Sequence, residues 1–163
     1  ENTKQMRNKI IYVDFDDTIF IWDVHTLSDV NITDWMSYNN IGHLNYSLRD
    51  YLREQKQNNM IILLTHCCDS IELRMKQEYL QHICGDLFDD YLGVSAPELK
   101  VNVVARSKEL YGIDPYQTVL IDDRLKTRVL FAENGYLTEN PLNIANKCYM
   151  EKVYDRSNKT IKE

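Results

Sequence analysis

No run of apolar residues in this chain approaches the roughly 20 needed to cross a bilayer as a helix, so no membrane partner is expected. No cleavable secretory signal is visible, although the sequence starts at Glu1 rather than Met. Cysteine is sparse and unpatterned. Cys67, Cys68, Cys84 and Cys148 fit no disulfide framework, which points to a reducing, cytoplasmic setting. No Cys-X2-Cys spacing is present to join His66 and His82 in a tetrahedral zinc site. A basic excess is missing too. The formal net charge is -6, which argues against broad nucleic-acid binding and leaves only a local basic channel open. Internal repeats and low-complexity blocks are also lacking. The Asn-X-Ser/Thr triplets at Asn31, Asn45 and Asn158 carry no weight without a secretory route.

What is there is a chain of 163 residues, 44% hydrophobic and 27% charged, enough for one domain with a real core. Residues 1–8 are polar and expected to fray, and 157–163 to be a disordered tail. A single domain is expected over 9–156, with a flap segment at 19–42.

Short apolar runs alternate with helical stripes. Strands are predicted at Lys9 to Asp14, Met60 to Leu64, Tyr91 to Val94 and Thr118 to Ile121, with a short one at Tyr136 to Thr138. Leu44, Leu48, Tyr51 and Leu52 mark one helix. Ile71, Met75, Tyr79 and Ile83 mark a second, capped by Asp69 or Ser70 and closed by Gly85. Val103, Ser107 and Leu110 to Tyr111 suggest the inner face of a third, and Leu125, Val129 and Ala132 to Glu133 continue as a fourth that ends at Asn134-Gly135. A last helix is expected from Leu142. Residues 20–40 show no clean period and read as a loop or flap with one short helix. The pattern predicts an α/β domain: a three-layer, Rossmann-like, mostly parallel sheet with helices on both faces.

In such sheets ligands bind beyond the carboxyl ends of the strands. The run from Lys9 to Val13 ends in Asp14, Asp16 and Asp17, followed by Thr18. The run from Thr118 to Ile121 ends in Asp122-Asp123, and the run from Met60 to Leu64 ends in Thr65. Carboxylates crowded at one sheet edge repel each other and resist desolvation, so a fold keeps them mainly for a cation or a reaction. Magnesium takes hard oxygen ligands, usually one or two carboxylates with water and phosphate. Asp14 and Asp122 can supply the carboxylates. Asp14 can attack phosphorus, and Asp16, two residues on, can protonate the leaving oxygen and later deprotonate water. Thr65 offers a hydroxyl to the phosphoryl group, and a nearby lysine would add positive charge.

At this point the chain resembles the haloacid dehalogenase (HAD) superfamily of phosphatases, in its capless form. Asp14-Phe15-Asp16-Asp17-Thr18 matches the first motif, Asp-X-Asp-X-Thr. Thr65 looks like the second, Lys100 like the third, and Ile121-Asp122-Asp123 like the fourth. The resemblance implies a magnesium-dependent phosphomonoesterase. It implies Asp14 as nucleophile and Asp16 as acid/base. Asp14, the main-chain carbonyl of Asp16 and Asp122 would hold the metal, with Asp123 either a direct ligand or just behind them. Thr65 and Lys100 would hold the phosphoryl group, with His66 beside the substrate. Lys108 competes with Lys100 for the third motif, and a helix of Val101 to Tyr111 favours Lys100.

The expected substrate is a phosphorylated small molecule, with a nucleotide suggested by Phe20, Trp22, Trp35 and Tyr38. Packing is the favoured role for those four aromatics, ahead of stacking on a base. Nucleic-acid ends remain open without being favoured, and the oligomeric state is unknown. A phosphoacceptor receiver domain uses the same residue types, but in the order acids, Asp, Thr, Lys. Here Thr65 and Lys100 both precede Asp122. A silent binding module of the same fold would have little need to keep both Asp14 and Asp16.

Overall fold

The computed structural model describes residues 9–23 and 31–147. The expected frayed ends, Cys148, the Asn158 triplet and part of the flap lie outside them.

The chain lays down β1 (Lys9–Val13), a hairpin of β2 (Phe20–Trp22) and β3 (Gly42–Leu44), and α1 (Tyr46–Gln55). It continues through β4 (Asn59–His66), α2 (Ser70–Cys84), β5 (Asp90–Val94), α3 (Lys100–Ala105) and α4 (Ser107–Tyr111). It then forms β6 (Thr118–Ile121), α5 (Leu125–Glu133) and β7 (Leu137–Glu139). Residues 141–147 are helical, and Ile144 packs into the core. Five strands pair in the order β5-β4-β1-β6-β7, all parallel.

Each central strand carries a continuous apolar run because both its faces are covered. Alternate residues divide the core. Ile11, Val13, Ile61, Leu63 and Ile121 pack with Leu48 and Leu52 of α1 and with Tyr79 and Leu80 of α2. Ile10, Tyr12, Ile62, Leu64 and Leu120 pack on the other side with Val104 of α3 and Phe131 of α5. The predicted three-layer α/β arrangement is therefore present, with strand and helix limits moved by a few residues. Asp69 caps α2 by accepting from the Glu72 amide, and Gly85 closes it at φ 66°.

Other expectations need correcting. The segment from Val101 to Tyr111 is two short helices, α3 and α4, that meet at Arg106, with Leu110 exposed and Ser107 buried. On α5 the inward side chains are Thr127 and Phe131, four apart, while Leu125 and Val129 stand in solvent. On α2 the buried side chains are Lys76, Tyr79, Leu80 and Cys84, whereas Ile71 is exposed. The expected α2 stripe therefore holds at Tyr79, which is buried, and at Met75 and Ile83, which pack half-buried against the core, and fails only at Ile71.

The flap holds more structure than a loop. Besides the hairpin it carries a 3-10 helix, Trp35–Asn40, started by an Asp34 capping box. Gly42 makes the hairpin possible: a Cβ there would lie 2.2 Å from the Ile21 carbonyl and 2.5 Å from the Phe20 ring. Gly42→Ala should destabilise the protein by about 1–3 kcal/mol. An unaltered thermal midpoint would contradict this packing.

Candidate active site

Parallel registration sets the site. Val13 pairs level with Leu63 on one side and Ile121 on the other. The next residues after Val13 and Ile121 are Asp14 and Asp122, so both carboxylates leave the same sheet edge. They do so where the chain, having built outward from β1 through β4 and β5, returns to add β6 on the other side. Parallel sheets present their ligand crevice at such a reversal. The Asp14 amide donates to the Ile121 carbonyl at 3.0 Å and fixes the two strand ends together.

Both side chains are buried, Asp122 completely. Asp14, Asp122 and Asp123 each place one carboxylate oxygen within 4.8 Å of the others. Thr18, also buried, ties them: its hydroxyl lies 3.4 Å from Asp14 Oδ2 and 3.3 Å from Asp123 Oδ1, and it accepts the Asp123 amide at 3.2 Å. The turn that returns Thr18 to the site passes through Asp17 at φ 56°, in the left-handed region that Asp enters more readily than most residues. Arg128 Nη1 donates to the Asp122 carbonyl at 2.9 Å and steadies the end of β6.

Lys100 is the first residue of α3 and is buried. Its Nζ donates to Asp14 Oδ1 at 2.9 Å and to Asp122 Oδ2 at 2.8 Å. Lys108 is exposed, 3.8 Å from Asp114, and takes no part. Of the two lysines, Lys100 is the one that meets the acids in this structure. Burial pushes the Asp14 carboxyl up to about 7; Lys100 opposes the rise and the Asp122 charge adds to it. Burial also raises Asp123, reinforced by Asp122. Desolvation pulls Lys100 down, but Asp14 and Asp122 outweigh it and hold the ammonium above its ordinary value. Lys100 bonds two of the three clustered carboxylates, and acids that outnumber the ammonium suit a hard divalent cation.

A second group lies beside the first. Thr65 is fully buried near the end of β4. Its hydroxyl donates to the His66 carbonyl at 3.2 Å and accepts from Lys76 Nζ at 2.9 Å. Lys76 also donates to Asp16 Oδ2 at 3.0 Å, and Trp22 Nε1 donates to Asp16 Oδ1 at 2.9 Å. The His66 ring is exposed and its Nε2 lies 3.1 Å from the Ser95 carbonyl, so His66 enters this group only through its main chain.

Thr18 and Lys76 are contributors that sequence reasoning did not select, and Trp22 was weighed only for packing or stacking, not as a donor to Asp16. Thr18 was already the last residue of the first motif. Lys76 left a usable trace, since it stands three residues before Tyr79 and four before Leu80, in register with apolar positions. Trp22 left none beyond its place in the flap.

The other flap aromatics are spent on packing. Phe20 and Tyr38 are buried, and with Phe15, Trp22 and Tyr79 they form edge-to-face contacts at 5.3–6.5 Å. Trp35 stacks on His82 of α2 at 4.0 Å. The expectation that packing outweighs recognition agrees with this arrangement.

A parallel sheet thus carries acids at two adjacent central strand ends with a buried lysine bonded to both. The fold is HAD-like. No protein-family model and no curated protein sequence matches the chain. Solved structures do resemble it. A HAD-family enzyme from Bacteroides thetaiotaomicron, in complex with magnesium and inorganic phosphate, is 14% identical with a TM-score of 0.54, over 81% of this chain and 93% of that one. A chain of the Pnkp1/Rnl/Hen1 RNA repair complex is 15% identical with a TM-score of 0.58, over 86% of this chain and 46% of that one. The core domain of a candidate phosphoglycolate phosphatase from Streptococcus pneumoniae is 17% identical with a TM-score of 0.51, over 83% and 81%. Among the described residues no helix is long and apolar enough to cross a membrane.

Proposed function

We propose that the chain is a magnesium-dependent phosphomonoester hydrolase that works through an aspartyl-phosphate on Asp14. The observation that carries this reading is the meeting of Asp14, Asp122 and Asp123 at one sheet edge, with Lys100 bonded to the first two. The structural resemblance to an enzyme holding magnesium and phosphate supports it.

Asp14, the carbonyl of Asp16 and Asp122 would hold the ion, with Asp123 directly behind or beside them. When bound, magnesium supplies positive charge to the phosphoryl oxygens. The rest falls to the chain. An Asp14 oxygen forms a bond to phosphorus as the bond to the leaving oxygen breaks. Asp16 gives its proton to that oxygen, and the alcohol departs. Asp16, now a carboxylate, takes a proton from water, whose oxygen bonds to phosphorus and releases Asp14 and phosphate. Lys100 and Thr65 neutralise and orient the transferring group. His66 stays at the rim, in reach of a substrate rather than of the phosphoryl group.

A phosphorylated small molecule remains the favoured substrate. A polynucleotide end is the second reading, favoured by the likeness to the RNA repair chain and opposed by the charge of -6. The capless form, the cytoplasmic location and the single-domain layout over 9–156 belong to the same reading.

Hydrolysis of p-nitrophenyl phosphate tests the proposal. Turnover should need added magnesium and vanish in chelator. Full turnover in chelator, or a stable phosphoryl adduct without turnover, would overturn it. A panel of phosphorylated metabolites beside 3′- and 5′-phosphorylated oligonucleotides would then separate the two substrate readings.

A further inference from the structure

One buried cation has no part in the reaction as described. Lys76 of α2 is only 1% exposed. A lysine ammonium has three donors and no acceptor. Here its nitrogen lies 3.0 Å from Asp16 Oδ2, 2.9 Å from Thr65 Oγ1, 2.9 Å from the His66 carbonyl and 3.0 Å from Glu72 Oε2. The Phe15 ring closes one side, its centroid 5.1 Å away.

We propose that Lys76, together with Trp22, is a positioning residue for phosphoryl transfer: the pair holds the Asp16 carboxyl and aims the Thr65 hydroxyl. The inference rests on the hydrolase reading above. Its first support is the hydroxyl. An N–H from Lys76 occupies the acceptor side of Thr65 Oγ1, so the Thr65 proton must point elsewhere. It points to the His66 carbonyl at 3.2 Å, an oxygen that Lys76 already serves. An arriving phosphoryl oxygen, charged and lacking a donor, is the stronger acceptor.

The second support is the carboxyl. The Asp16 side chain is 40% exposed, enough to let an unrestrained Asp change rotamer, yet each of its oxygens has its own donor. Those donors come from two separate elements, β2 of the flap and α2. The flap is itself seated on α2 through the Trp35–His82 stack. Small misplacements of a proton donor are costly in rate, and this cradle prevents them.

Leaving-group dependence tests the assignment. An alkyl oxygen needs the proton from Asp16, whereas nitrophenolate leaves without it. In Lys76→Met, kcat on benzyl phosphate should fall about 100-fold and kcat on p-nitrophenyl phosphate only about fivefold. Trp22→Phe keeps an aromatic ring in the cluster and removes only the donor to Asp16. It should widen the same ratio by about threefold, and it decides the matter if Lys76→Met does not fold. Equal losses on both substrates, or no loss on either, would overturn the role of Lys76 and Trp22 and leave the hydrolase reading intact. Failure of the unaltered protein to hydrolyse either substrate would end both.

Discussion

Asp14→Asn should remove magnesium-dependent turnover of p-nitrophenyl phosphate by on the order of 10^5-fold, the scale seen when an enzyme loses its nucleophile. The amide keeps the volume of the carboxyl and can still accept from Lys100, which retains Asp122 as a charged partner. The protein should therefore remain folded, and a thermal melt beside the assay will show whether it does. Turnover within 100-fold of the unaltered protein would remove Asp14 as the attacking group. Mass spectrometry of acid-quenched reactions adds a direct sign: the phosphoryl adduct should appear on the peptide holding Asp14 and be absent in the variant.

Lys100→Met should have the largest effect on stability. It removes the one ammonium between Asp14 and Asp122, both buried. Breaking one side of a buried ion pair costs about 3–5 kcal/mol, since the charge left behind stays desolvated. For a chain of this size that lowers the thermal midpoint by roughly 6–20 °C. Turnover should be lost as well. Lys108→Ala is the control; its exposed side chain should contribute within about 0.5 kcal/mol.

The loss should depend on pH with a definite sign. Burial already lifts Asp14 from 3.8 to about 7. A carboxyl raised on folding binds its proton more tightly in the native state, so stability falls as pH rises between those two values. Without Lys100 the rise is larger. In chelator, Lys100→Met should thus be closer to the unaltered protein at pH 5 than at pH 8. An equal deficit at both would show that Lys100 does not face an ionising carboxyl.

The parts of this molecule legible in its sequence are those where one residue does one thing. Buried parallel strands carry continuous apolar runs, so β1, β4 and β6 announced themselves, and the acids that follow β1 and β6 marked the edge. Capping chemistry placed α2, through Asp69 and Gly85. The flap hairpin was hidden because each of its strands is three residues long, too short to show a period. Some buried positions of α2 and α5 were hidden for a different reason. Ile71, Leu125 and Val129 look like core by chemistry but point to solvent, and Thr127 and Lys76 look like surface but are buried. Lys76 in particular is concealed by its type: only the oxygens supplied by Asp16, Thr65, His66 and Glu72 make its burial tolerable, and these come from three separate stretches of chain.

The claim beneath all of this is that one divalent ion is held by acids from two neighbouring strand ends. A crystal soaked in manganese, which replaces magnesium and scatters anomalously, examines it directly. A single anomalous peak coordinated by the side chains of Asp14 and Asp122 is the expected result. A peak held by other residues, or none at a concentration that supports turnover, would contradict it.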